Sequence, residues 1–135
     1  MRKGFTLLEL IIVIIIIGVL ATLGFVQYSA VIEKARGAEA RATISTLRSQ
    51  LVAKSIGGET TVNSGILGIG GGIPSACTAT NYFTYAIDAS CSTTVCTFTA
   101  TRCTASGKGP QGTTAGTLTL LWSSAGSDTW GGTGY

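Results

Sequence analysis

From Phe5 to Val26 the chain reads FTLLELIIVIIIIGVLATLGFV, and only Thr6, Glu9 and Thr22 interrupt its apolar character. As a helix rising 1.5 Å per residue, this run spans about 33 Å, the thickness of the hydrocarbon core of a bilayer. Leu10 to Val26 contains thirteen Leu, Ile, Val or Phe residues. At ~0.3–0.6 kcal/mol each, they favour insertion by roughly 4–8 kcal/mol. A single acid subtracts about 2.5–3.5 kcal/mol at mid-membrane and less near an end. Insertion wins. Arg2 and Lys3 hold the N-terminus on the cytoplasmic side, which sends the rest of the chain to the other side of the membrane. A cleaved secretory signal is the rival reading, but Ala21-Thr22 is a poor small-residue site and the helical pattern runs straight past it.

Beyond the apolar run the helix turns amphipathic with no proline or break signal. Ala40, Ile44, Leu47 and Leu51 fall on one stripe, and Glu33 and Arg36 are i, i+3 neighbours able to pair. Gly57-Gly58 supplies the stop. Phe5 to about Ser55 is therefore expected to form one helix, about 75 Å long. The β-branched run Ile14–Ile17 and Gly37 weaken it locally, and Gly18 and Gly24 are points where it can bend or melt.

Residues 57–75 form a glycine-rich loop holding Gly70-Gly71-Gly72 and Pro74. Gly68-Ile69-Gly70 lacks the strand, helix and following Lys-Ser/Thr of a phosphate cradle. Short strands with period-2 patterns follow. They place Phe83, Tyr85 and Ile87 on one face; Cys96, Phe98 and Ala100 on one face; and Leu118, Leu120 and Trp122 on one face. Ser90–Thr93 reads as a hairpin connection, Lys108–Gly112 as a turn, and Thr129-Trp130 as a last short strand before a glycine tail. The fold class is α+β: a long N-terminal helix on a small antiparallel sheet. The expected divisions are a leader at 1–4, an apolar half-helix at 5–26, an amphipathic half at 27–56 and a β-rich head at 57–135.

The four cysteines, Cys77, Cys91, Cys96 and Cys103, all lie in the head. An even count beyond a membrane anchor reads as two disulfides in an oxidising compartment. The hairpin favours Cys91–Cys96 with Cys77–Cys103 among three connectivities, and places Cys103 opposite Thr84. Without a CxxC pair, zinc is not expected.

Only 11% of residues are charged, against roughly 25% in an ordinary soluble domain. Such a chain sits partly in a membrane or packs against copies of itself. Without Arg2 and Lys3 it keeps seven basic and six acidic residues, a net +1, too weak a field for nucleic acid. The chain has no His and no G-x-S-x-G elbow. Asp88 and Asp128 stand about forty residues apart, a poor basis for a carboxylate dyad. Neither an enzyme nor a cofactor or metal site is expected.

The segment Lys3-Gly4-Phe5-Thr6-Leu7-Leu8-Glu9 carries the specific signal. A basic leader ends in glycine, an aromatic residue follows, and a lone acid sits four residues further on in an apolar span. Over residues 2–26 this closely resembles the type IV pilins and type II secretion pseudopilins, and the helix-then-sheet layout extends the likeness in outline. The resemblance implies that a membrane prepilin peptidase cuts after Gly4 and methylates the new amine of Phe5. It also implies that Glu9 pairs with that amine on a neighbouring subunit, setting the stagger of a helical homopolymer built by inner-membrane assembly machinery. Gly4 and Phe5 are thus processing residues, and Phe5 and Glu9 assembly residues. Two unit charges 4 Å apart attract by roughly 4 kcal/mol at an effective dielectric near 20, enough to select register while the apolar stripes supply most of the association. An acid in the first helical turn is also favoured by the macrodipole, but that does not explain why it is the only one in the span. Many members carry a late proline in the apolar run; here Val26 stands near that place, leaving Gly18 and Gly24 to loosen the helix.

The expected function is that of a structural subunit of a type IV pilus-like filament, membrane-held as a precursor and external once assembled. The alternatives are a pseudopilin of a secretion or competence system, a membrane-tethered enzyme, and a secreted binding module. The isolated Asp128, where major pseudopilins gather acids in a calcium loop, tilts the reading toward a pilus.

Overall fold

The computed structural model describes residues 4–105, 108–109 and 115–134. Met1, Arg2 and Lys3 of the expected leader, Pro110 to Gly112 of the expected turn, and Tyr135 lie outside them. The element order is α1 (Leu7–Ile56), β1 (Phe83–Ile87), β2 (Val95–Arg102), β3 (Thr117–Ser123) and β4 (Thr129–Thr133). This is the pilin-like α+β arrangement of one long N-terminal helix and a small antiparallel sheet. Two compact units divide the chain, Met1–Ile32 and Glu33–Tyr135.

In the first unit α1 begins at Leu7 rather than Phe5, because Thr6 serves as its cap, and it passes through Gly18 and Gly24 unbroken. The large apolar side chains from Leu7 to Leu23 are all exposed, by 41–75%. So much apolar surface demands a cover.

In the second unit α1 ends where the glycines dictate. Gly58 takes φ +82°; its N–H donates to the Ser55 carbonyl at 3.2 Å, and Glu59 N–H donates to that of Lys54 at 3.2 Å. That is a Schellman close, which a β-carbon at Gly58 would strain. The stripe Ala40, Ile44, Leu47 and Leu51 is fully buried. It packs into one core with Phe83 and Tyr85 of β1, Phe98 and Ala100 of β2, Leu118, Leu120 and Trp122 of β3, and Leu67 from the loop. Burying each such aliphatic or aromatic side chain contributes about 1.5–3 kcal/mol.

The sheet is a meander in the order β1-β2-β3-β4, antiparallel throughout. Its outward face is uncharged, and one row across all four strands is threonine: Thr84, Thr101, Thr117 and Thr133.

Two local expectations are corrected. Thr84 pairs with Thr101, not Cys103, and Cys103 N–H instead donates to the Tyr82 carbonyl at 2.9 Å. The cause is the connection, which spans residues 88–94 rather than Ser90–Thr93 alone. It curls through its own bonds: Ser90 N–H to the Asp88 carboxylate at 3.1 Å, Cys91 N–H to the Asp88 carbonyl at 3.0 Å, and Ser92 N–H to the Val95 carbonyl at 2.8 Å. The second correction concerns β4, which continues through Gly131 and Gly132 to Thr133. Gly132, at φ +125°, lies so close to Thr117 that a β-carbon would collide with its carbonyl oxygen. Here glycine permits a close strand approach instead of ending the strand.

Candidate assembly and processing site

The first residues described are those around the expected cut. A β-carbon built on Gly4 meets nothing within 4 Å, so the fold itself does not require glycine there. Phe5 is exposed. Thr6 and Glu9 then form a reciprocal capping box. Thr6 N–H and Oγ1–H each donate to Glu9 Oε2 at 2.9 Å, and Glu9 N–H donates to Thr6 Oγ1 at 3.3 Å. Two orphan amides of the helix start are satisfied in this way. The sequence signal was present as Thr-x-x-Glu, yet charge and macrodipole alone do not single out Thr6. Glu9 therefore has a local partner in the single chain while remaining an acid in an apolar span.

Within the second unit a further polar constellation lies at the C-terminal end of the interior strand β2. β2 alternates Cys96, Phe98 and Ala100 inward, and the next inward position is Arg102, only 2% exposed. Its guanidinium forks onto Glu33, Nε to Oε2 at 3.1 Å and Nη2 to Oε1 at 2.9 Å. Nη1 donates to the carbonyls of Tyr82 at 3.2 Å and Cys103 at 2.9 Å. Arg36 approaches the same carboxylate at 2.5 Å and lies 4.1 Å from the centre of the Tyr82 ring. The helical Glu33–Arg36 pair is thus one part of a clasp between α1 and β2. Its missing member was readable only as an arginine on the core side of a strand.

The Arg102 hydrogen bonds hold the Glu33 carboxyl below the ordinary glutamate range against the opposing effect of burial, and Arg36 adds to the lowering. A carboxyl depressed in the folded state stabilises fully above its unfolded value, about 4.3, and loses that contribution as pH falls through the folded value. Arg102→Met is expected to lower head stability by about 3 kcal/mol, since it strands a partly buried carboxylate that Arg36 only partly compensates. In urea unfolding of the detergent-solubilised chain, the wild type should also lose stability below about pH 4.3 more steeply than the variant. Equal acid slopes would remove the clasp from the account.

Two disulfides complete the head. Cys77–Cys103 ties the segment before β1 to the end of β2, with Cα atoms 5.7 Å apart. Cys91–Cys96 closes the β1–β2 connection across 4.3 Å. Each is worth about 2–4 kcal/mol in a small domain.

Over residues 1–25 the chain matches the family described as the prokaryotic N-terminal methylation motif. That motif is the prepilin-type signal of type IV pilins and pseudopilins. No solved structure gave a significant match. The helix is long and apolar enough to cross a bilayer, and with the motif it fits a membrane-anchored precursor.

Proposed function

We propose, for a chain carrying a prepilin-type signal at residues 1–25, that it is a structural subunit of an extracellular type IV pilus-like filament. The observation that carries this reading is the exposed apolar face from Leu7 to Leu23, preceded by the motif and holding Glu9 as its single charge. Before assembly the bilayer covers that face; in the filament, copies of the same helix do. Cutting after Gly4 creates a cationic amine on Phe5. Glu9 of an adjacent copy is the one acid at that level, so their pairing selects the stagger of each incoming subunit. The cutting and methylation belong to the prepilin peptidase, and the chain itself has a structural role. Inner-membrane assembly machinery supplies the work of extraction.

A pseudopilin of a secretion or competence system is the second reading. Asp128 argues for the pilus: its carboxylate accepts from Arg48 Nε at 2.6 Å, so it is engaged in an internal ion pair. The test is to shear cells that make the protein and look for it in pelleted surface filaments by electron microscopy and peptide mass spectrometry. Recovery there supports the pilus reading. Recovery only from the envelope, in short filaments, transfers the chain to the pseudopilins, and recovery only as monomer rejects both.

A further inference from the structure

Within the head, two cavities flank α1 and differ in charge. One is an open groove of about 460 Å³ between α1 and residues 72–85, bordered by Glu39, Thr43, Ile73, Tyr82 and Tyr85. The other, about 250 Å³, lies toward β4 and is lined by Arg41, Leu118, Trp130, Gly131 and Gly132. Glu39 and Arg41 stand two residues apart, so they point about 200° apart around the helix. Ala40 between them is fully buried in the core, which sends them to opposite flanks. Both side chains are exposed, and neither has an ion-pair partner among the described residues. The other cations near the groove are engaged: Arg36 on Glu33 and Tyr82, and Lys108 Nζ on the carbonyls of Thr78 and Asn81.

We infer that the occupant of the Glu39 groove is a second copy of this chain, presenting Arg41 with the half-exposed Trp130 beside it. This inference rests on the filament reading and names a head-to-head contact within it. The two flanks are complementary in charge, with Glu39 on one and Arg41 on the other. The two patches are different surfaces of one molecule, so joining them is heterologous: each added copy still offers a free Glu39 groove and a free Arg41 flank. Such a contact propagates instead of closing into a dimer. Tryptophan and arginine together are the side chains most enriched at interface hot spots.

Charge reversal tests it. Glu39→Arg and Arg41→Glu should each lower the yield of sheared filaments by at least about tenfold, because each sets like charges face to face. The double variant Glu39→Arg/Arg41→Glu should restore most of the yield. Both positions are exposed, so the unfolding midpoints of the single variants should match the wild type, which separates assembly from folding. Single variants that assemble normally, or a double variant no better than either, overturn the contact while leaving the filament reading intact. A wild type that forms no filaments overturns both.

Discussion

Glu9→Leu is expected to yield a chain that is cut, inserted and folded, yet gives no filaments. The apolar face from Leu7 to Leu23 is unchanged by the substitution, so membrane insertion becomes more favourable. The head core lies entirely in the second unit and is untouched. What disappears is the charge that a neighbouring amine can recognise. Glu9 also closes the capping box with Thr6, and losing a cap costs about 0.5–2 kcal/mol of local helix stability. Two further variants separate the roles. Glutamine serves in a capping box as glutamate does, so Glu9→Gln keeps the cap and loses the charge; it should fail to assemble as Glu9→Leu does. Thr6→Ala removes the cap and keeps the charge, and should still form filaments. Electron microscopy of sheared material reads all three. If Glu9→Gln assembles normally and Thr6→Ala does not, Glu9 acts as a cap and its register role is gone.

Gly4→Val should be comparably decisive at an earlier step. A β-carbon at Gly4 meets open space in the chain's own structure, and no left-handed backbone requires glycine there, so the fold tolerates valine. Any loss must arise where the peptidase grips the chain. The expected result is an uncut precursor that still begins with Met1, keeps Arg2 and Lys3 and lacks an amine at Phe5. Without that amine Glu9 has no counter-charge on the adjacent copy, so filaments should vanish with cleavage. N-terminal sequencing of the membrane fraction decides it. A chain that still starts at Phe5 would remove Gly4 from the processing site.

Much of the fold was legible because period and burial agree. The stripe Ala40, Ile44, Leu47 and Leu51 is the fully buried face of α1, and the inward sets of β1, β2 and β3 are those that alternation picked out. Gly57-Gly58 ended the helix through a conformation few other residues adopt cheaply. Register was less legible, because backbone and side-chain hydrogen bonds within residues 88–95 decide how many residues the connection consumes, and alternation carries no information about that. Gly131 and Gly132 misled for a related reason: glycine punctuates a strand in isolation but allows close pairing once β3 is beside it. In the candidate site, Arg102 escaped because its partner Glu33 lies 69 positions away. No local rule joins a strand arginine to a helix carboxylate at that separation.

The two charged contacts differ in what they hold. The Glu33–Arg102 clasp is internal and shielded, so salt should affect it little. The proposed Glu39–Arg41 contact is between exposed groups and should weaken as ionic strength rises.

The most direct measurement is a density map of the assembled filament at side-chain resolution. It should place the Phe5 nitrogen of one subunit about 2.7–2.9 Å from a Glu9 carboxylate oxygen of another. A filament in which Glu9 bonds only its own Thr6, while the Phe5 amine faces solvent, would contradict the account.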